Sequence, residues 1–456
     1  MKNKSIKYYS TNGNSPEVSF GDALLKGLAP DGGLYLPDAL PLLSTDELKK
    51  FSDNEYYETA FHVLNNLIGS EINETDLISI CRDAYRFEVP LEMVTERKFI
   101  MRLDRGPTAS FKDFAARMMS RLMQFFSAMN NEHLTILTAT SGDTGSAVAS
   151  AFHGLGNISV IILYPRDEVT PMQRKQMTTL HGNVNVIAVD GKFDDCQKLV
   201  KQAFMDPLLS HIRLSSANSI NIGRLLPQSV YYFHAWAKLS GSTSDKVIFS
   251  VPSGNFGNLM GGLIASKMGL PVKKFVISTN DNNEVPEFLH TGIYESITPS
   301  INCISSAMNV GHPSNLARIV AIYGGSMDEN GLIKHKPDFN KMSEELFGLS
   351  INENETRLAL AEVYNNYKIM LEPHGAVAWA GLDKFIKSQG AEGTDNQLYI
   401  ALETAHPAKF PEEIRKIINQ EPALPLSLSG LNDKDEKYTV LENSYSMIRD
   451  YILNNC

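Results

Sequence analysis

Residues 134–152 read LTILTATSGDTGSAVASAF. The opening run, Leu134 to Leu137, is apolar and β-branched and ends in a cluster of small polar residues, Thr140, Ser141, Gly142, Asp143 and Thr144. Apolar residues then recur at helical spacing, so the stretch reads as a buried strand, a tight turn and a helix. Ser, Thr and Asp are the preferred helix N-caps, yet five consecutive small polar residues exceed what one cap needs. Their hydroxyls and amides could hold a carboxylate at the helix amino terminus. The same alternation extends outward from about 97 to 280. Apolar runs stand at 159 (SVIILY), 184 (VNVIAV), 247 (VIFSV) and 274 (KFVIS), and helical periodicity fills 112–126, 144–154, 193–206 and 222–238. This is the pattern of a parallel sheet covered by helices, and at least five strands are expected to join one doubly wound core. A further strand, QLYIAL, begins at 397. Residues 1 to about 95 read as a separate, largely helical cap that opens with GLAPDGGLYLP, where the DGG and proline residues impose turns.

In such open sheets, ligands bind at the carboxyl ends of the strands. Two other loops lie there. In RGPTASFKDFAARMM (105–119), Gly106 and Pro107 break the preceding strand, and Ser110 with Asp113 forms a Ser-x-x-Asp capping box that starts a helix at about Phe111. Most lysines are surface residues. Lys112, however, falls in the first helical turn, where the macrodipole disfavours a cation and lowers the amine pKa, which suits a nucleophile. In VIFSVPSGNFGNLMGG (247–262), a strand runs through Gly254, Asn255, Phe256, Gly257 and Asn258 into a helix, the arrangement that holds a phosphate on backbone N–H groups. The loop lacks both the G-K-[ST] ending of a nucleoside triphosphate loop and the G-x-G-x-x-G dinucleotide fingerprint. Two anion sites on one sheet edge suggest a phosphorylated cofactor beside an acidic substrate.

The chain has 456 residues, enough for two or three domains of roughly 150 residues each. Hydrophobic residues make up 43% and charged residues 21%, ordinary values for a globular protein. Lys plus Arg number 42 against 52 Asp plus Glu, and the net charge of −10 without a basic stripe disfavours nucleic-acid binding. Cys81, Cys196, Cys303 and Cys456 are far apart and form no C-x-x-C pair, so neither a disulfide framework nor a metal site is signalled, and a cytoplasmic location is expected. The segment MKNKSIKYYSTNGN has no apolar targeting region, and no run of about 18 apolar residues could span a bilayer.

Taken together, SFGDALLKGLAPDGGLYLP, GPTASFKDFAARMM, LTATSGDTGSAVA, SANSINIGRLLPQ, VPSGNFGNLMGGL, EPHGAVAWAGL and ETAHPAKFPE make nearly the whole chain resemble the threonine synthases of the tryptophan synthase β-like group. These are fold-type II pyridoxal-phosphate enzymes, α/β proteins with doubly wound parallel sheets. The resemblance implies an N-terminal, mostly helical threonine-synthase domain over 1–95. A PLP-binding region over 96–456 would follow, in two subdomains, the smaller and mobile one around 110–230. It implies that pyridoxal 5′-phosphate is held by Lys112 as a Schiff base, with its phosphate cradled by Gly254, Asn255, Phe256, Gly257 and Asn258. Asp143 would neighbour the cofactor 3′-oxygen and Thr404 would face the pyridine nitrogen. Asn218, Ser219 and Arg224 would hold the substrate phosphate, and Thr140, Ser141 and Thr144 its carboxylate.

The implied reaction is that of a carbon–oxygen lyase acting on a phosphate: O-phospho-L-homoserine and water give L-threonine and phosphate. Arg105 departs from longer family members, which often carry His there, and its contact is open. His374 and His406, each beside a proline, are expected to be structural. The charged run at 432–437 reads as a solvated face. A serine or threonine dehydratase or a phospholyase on the same fold is the nearest alternative, disfavoured by the Asn218–Arg224 string and the long amino-terminal cap. An inactive binding protein is disfavoured by the intact Lys112 and both loops, and a nicotinamide dehydrogenase by its missing fingerprint. Whether the protein is a monomer or a homodimer is left open by the sequence.

Overall fold

The computed structural model describes residues 6–242, 245–390 and 397–455. The amino-terminal segment pairs two short antiparallel strands, Tyr8–Ser10 and Tyr35–Pro37, and adds helices Phe20–Lys26, Thr45–Lys50, Tyr56–Ile68 and Glu74–Ala84. Asp31 closes the DGG turn by accepting from Ser10 Oγ at 2.6 Å and Gly33 N at 3.0 Å. A Cβ at Gly33 would meet Ser10 Oγ at 2.1 Å, so the strand pair closes only with glycine there.

Two separate large sheets carry most of the rest, as the resemblance implied though the apolar runs alone suggested one core, and a small antiparallel pair, Ser326–Met327 with Ile333–His335, stands apart from both. In chain order the strands are β1 (Leu91–Thr95), β2 (Lys98–Arg102), β3 (Leu134–Ala139), β4 (Ile158–Pro165), β5 (Val184–Asp190), β6 (Leu214–Ser215), β7 (Val247–Pro252), β8 (Val272–Thr279), β9 (Leu346–Ser350), β10 (Leu398–Glu403) and β11 (Thr439–Glu442). One sheet has the order β9-β8-β7-β10-β2-β1 and the other β11-β5-β4-β3-β6. Every pairing is parallel except that of β1 with β2. The strands β3, β7 and β10 are buried along their full length, as expected of parallel strands covered on both faces. Period-2 and period-3.6 patterns report which residues are buried, not which strands pair. The split into two sheets was therefore invisible in the apolar runs.

Five helices frame the crevice: α1 (Lys112–Met129), α2 (Asp143–Phe152), α3 (Pro171–Thr178), α4 (Gly257–Lys267) and α5 (Pro373–Gln389). Each of α1, α2 and α4 begins just beyond the carboxyl end of the preceding strand, β2, β3 and β7 respectively. The helix expected over 222–238 is interrupted. Helical turns at Ile222–Leu225 and Val230–Leu239 flank a 3₁₀ turn, Leu226–Ser229, that contains Pro227, which has no N–H to continue the ladder. The carboxyl-terminal segment is not simply solvated. Glu436 accepts from Arg174 of α3, from Nε at 2.8 Å and Nη2 at 3.0 Å, and from Thr178 Oγ1 at 3.1 Å.

Candidate active site

Lys112 is the first residue of α1, and the loop before it is fixed against the end of β10. Phe111 N donates to Thr404 O at 2.8 Å, His406 N to Ala109 O at 3.0 Å, and Ser110 bridges Ala405. This ladder seats Lys112 beside Thr404. The expected Ser110–Asp113 capping box does not form. Ala109 takes φ +52°, Ser110 is drawn into the β-bridge with its Oγ unpartnered among the described residues, and Phe111 occupies the N-cap without a side-chain bond. The Asp113 carboxylate turns back instead to Thr108, accepting from its N at 2.8 Å and its Oγ1 at 2.7 Å. A Cβ at Gly106 would meet Asp113 Oδ2 at 2.3 Å, which explains the glycine.

The Lys112 amine pKa lies below the ordinary lysine value. Burial is the largest cause, opposed by Asp143 and reinforced by the Lys409 and Arg224 cations. The direction matches the sequence reading, with desolvation as its largest cause.

Asp143 opens α2 and is buried. Gln173 Nε2 and Lys409 Nζ both donate to its Oδ1 at 2.9 Å. Burial alone would raise its pKa. Lys409 and Lys112 more than reverse that and hold the carboxyl well below the usual range. Gly142, at φ +133°, lies where a Cβ would meet Gln173 Cδ at 2.5 Å, so only glycine lets Gln173 reach Asp143. Thr140 caps this turn, its Oγ1 accepting from Gly142 N at 2.9 Å and Gly145 N at 2.8 Å. That hydroxyl is thus committed to the local backbone. Among the described residues, those of Ser141 and Thr144 are not.

The 254–258 loop enters α4 through Phe256, held at φ +59°, a conformation rare for a bulky residue and common where a ligand cradle is built. The first-turn amides of α4, Gly257 and Asn258, lack intrahelical acceptors. Asn255 is a brace rather than a free donor. Its Nδ2 donates to Ser219 Oγ at 2.7 Å, and its Oδ1 accepts from Ser314 N at 2.7 Å. A Cβ at Gly254 would meet Met308 Cα at 2.7 Å. Asn258 Oδ1 accepts from Tyr231 and Tyr232 hydroxyls at 2.7 and 2.8 Å, while its buried Nδ2 has no partner among the described residues.

The 216–224 loop joins these parts. Asn218 Oδ1 accepts from Thr138 Oγ1 of β3 at 2.8 Å, and Ser219 meets Asn255 as above. Arg224 is buried, its Nη1 donating to Ala217 O at 2.6 Å and its Nε unpartnered among the described residues. Burial lowers its pKa to about 10, against the pull of Asp113. Arg224 is thus more deeply held than a residue reaching freely into the crevice.

Thr404 is buried at the end of β10, and its Oγ1 lies 3.3 Å from Glu372 Oε1. Arg105 is half-exposed, its Nε 3.5 Å from Asp104 Oδ1. His406 Nδ1 accepts from Ala408 N at 3.1 Å, and burial, with Arg105 next, lowers its pKa to about 4.

Three polar residues of the site escaped the sequence reading: Lys409, Gln173 and Glu372. Lys409 lies in ETAHPAKFPE between Ala408 and Phe410, an apolar setting unusual for an exposed lysine. Glu372 directly precedes Pro373, the signature of an N-cap followed by proline in the first turn.

Comparison with known proteins matches three family models to consecutive parts of the chain: threonine synthase N terminus over residues 7–85, pyridoxal-phosphate dependent enzyme over 90–402, and threonine synthase, C-terminal, over 375–452. The threonine synthase of Haemophilus influenzae is 38% identical, covering 99% of this chain and 100% of its own. That of Escherichia coli K12 is 37% identical with the same coverage. Among solved structures, PLP-bound threonine synthase from Brucella melitensis superposes with a TM-score of 0.91 at 34% identity, covering 99% of each chain. The yeast threonine synthase gives 0.90 at 29% identity, also over 99% of each. With an amino-terminal segment, two largely parallel sheets and a half-buried lysine at the head of α1 all in place, the chain belongs to the threonine synthase family of pyridoxal-phosphate-dependent enzymes.

Proposed function

We propose that the protein converts O-phospho-L-homoserine and water to L-threonine and inorganic phosphate, with Lys112 as the residue that carries pyridoxal phosphate. The observation that carries this reading is the half-buried Lys112 amine at the head of α1, influenced by the charges of Asp143, Lys409, Arg224 and Glu372. The residues present fit the group. Donors without acceptors among the described residues, namely the α4 first-turn amides and the buried Asn258 Nδ2, suit a phosphate, and a lysine with lowered pKa suits an aldehyde. Once bound, the cofactor supplies the electron sink for deprotonation next to the amino-bearing carbon.

The chain's own residues supply the rest. Lys112 Nζ, its pKa lowered chiefly by desolvation, is the group to take and return the α-proton. Asp143, kept ionised by Lys409 and Lys112, is assigned to the cofactor 3′-oxygen side. Gly254, Asn255, Phe256, Gly257 and Asn258 are assigned to the cofactor phosphate, with backbone amides as the donors because the Asn255 side chain is occupied. Ser141 and Thr144 hold the substrate carboxylate, and Thr140 shapes that turn. Asn218, Ser219 and Arg224 hold the substrate phosphate, the unpartnered Arg224 Nε being a donor available to it. Thr404 is assigned to the ring nitrogen. A small domain around 110–230 that closes over the crevice would keep water out until the phosphate has left. Among the described residues no helix is long and apolar enough to cross a membrane, and Cys81, Cys196 and Cys303 are free thiols, in keeping with a cytoplasmic enzyme on a small-molecule substrate.

Borohydride reduction of the purified, cofactor-loaded protein followed by peptide mass mapping tests the lysine. The pyridoxyl group is expected on the peptide containing Lys112. Its appearance on Lys409, the buried lysine paired with Asp143, would overturn the assignment.

A further inference from the structure

Arg318 is the third residue of the short helix Leu316–Ile322, and its side chain is fully buried. Each of its three nitrogens donates to a neutral oxygen. Nε donates to Tyr35 O at 3.0 Å, Nη1 to Ser219 O at 3.0 Å and to Asn315 Oδ1 at 2.7 Å, and Nη2 to Ile220 O at 2.7 Å. No carboxylate pairs with it among the described residues. Burial alone lowers its pKa, to about 9, so the guanidinium stays charged at neutral pH. An uncompensated buried cation is costly to a fold, so packing alone does not account for this one.

Its use lies at the other edge of the peptides it holds. In a planar trans peptide the C=O and the following N–H point in opposite directions. With Ser219 O and Ile220 O both drawn to Arg318, the Ile220 and Asn221 amides face away from it. Asn221 N donates to Asn218 O at 3.0 Å. Ser219 N and Ile220 N, by contrast, have no acceptor among the described residues, and both residues are half-buried in a turn. Successive free amides in a turn form an anion-binding concavity. A cation on the carbonyl side of a peptide polarises its N–H into a stronger donor. The turn is also tied to the 254–258 loop: Ser219 Oγ accepts from Asn255 Nδ2, and Asn315, held by Arg318, donates to Asn255 O at 2.9 Å. We infer that Arg318 is a positioning residue for the substrate phosphate, orienting the Ile220 amide beside that of Ser219 as donors to this anion and supplying a positive charge that the chain itself does not neutralise. The inference rests on the assignment of Asn218, Ser219 and Arg224 to the substrate phosphate proposed above, and adds backbone donors and a second cation to it.

The probe is inorganic phosphate added to the holoenzyme, whose cofactor already fills the other phosphate loop. Equilibrium dialysis gives its dissociation constant for the wild type, Arg318→Met and Arg318→Lys, and selective ¹⁵N-isoleucine labelling follows the Ile220 amide of the wild type. Arg318→Met removes the charge and the bonds to the turn. It is expected to weaken phosphate binding and raise KM for phosphohomoserine about tenfold or more, with the cofactor absorbance band unmoved. Arg318→Lys, which keeps the charge but not the fork, is expected to fall between the two. In the wild type, phosphate is expected to shift the Ile220 amide proton downfield, a reading that needs no variant to fold. A purely structural arginine would lower the urea midpoint of the variants and leave their phosphate affinity at the wild-type value. That result, or an Ile220 amide that phosphate does not move, overturns the inference and leaves the substrate-phosphate assignment standing. A wild-type holoenzyme that binds no phosphate overturns that assignment as well.

Discussion

Replacing Lys409 with methionine removes the cation from a fully buried ion pair while retaining an unbranched chain that fills the space. Asp143 then keeps Gln173 Nε2 and the more distant Lys112 charge, but loses its only direct ionic partner among the described residues. Breaking a buried pair from one side costs about 3–5 kcal/mol because the other charge is left uncompensated. Against a total stability of about 5–15 kcal/mol this is a large fraction. The pH dependence carries the specific signature. In the wild type the Asp143 pKa is depressed, so the stability it contributes is present above the unfolded value of about 3.9 and lost as pH falls below it. In Lys409→Met, burial becomes the dominant influence and the pKa rises above that value. The folded variant then binds a proton that the unfolded chain releases, and its stability falls as pH rises, by about 1.4 kcal/mol per unit until Asp143 ionises. The gap between wild type and variant is therefore expected to be open already at pH 4, where the wild type keeps the whole Asp143 contribution, and to widen further toward pH 7, to about 3–5 kcal/mol or more. Urea midpoints of the cofactor-free proteins between pH 4 and 8 measure it. Adding Asp143→Asn should recover part of the loss, a non-additivity expected of residues in contact. A gap that does not change with pH, or a double variant showing the sum of both losses, would refute the electrostatic reasoning.

Two further outcomes follow from the same geometry. Arg224→Ala should lower kcat/KM for phosphohomoserine about ten- to a hundredfold or more, the worth of a charge-assisted bond of roughly 1.5–3 kcal/mol, with cofactor affinity unchanged. Arg224→Lys should rescue only partly, for want of the planar fork; equal loss of cofactor and substrate binding would contradict the assignment. Gly142→Ala should cost about 1–3 kcal/mol in strain and displace Gln173 from Asp143, seen as a lower urea midpoint; an unchanged midpoint would show that the turn relaxes freely.

The start of α1 at Lys112, the strand–turn–helix at 134–152 and the loop into α4 were all readable in the sequence, because each is local and encoded in periodicity and turn chemistry. Features that depend on distant residues were not. Lys409 and Asp143 are 266 positions apart, and nothing in either segment names the other. The capping box at Ser110 and Asp113 had the right letters, but a left-handed Ala109 and the bridge to Ala405 redirected both side chains. Arg224 and Thr140 were expected as site residues, yet their bonds to Ala217 O and to the Gly142 and Gly145 amides came from the folded backbone. Glu436 lay in a charged run that reads as solvated, and only the docking of the carboxyl-terminal segment on α3 gives it Arg174.

Product analysis with O-phospho-L-homoserine tests the central claim most directly. The purified, cofactor-loaded protein should release threonine and inorganic phosphate in equal amounts, and Lys112→Ala, folded by the same urea criterion, should release neither. Phosphate accompanied by 2-oxobutyrate in place of threonine would contradict the account and place the protein with the lyases that share its fold.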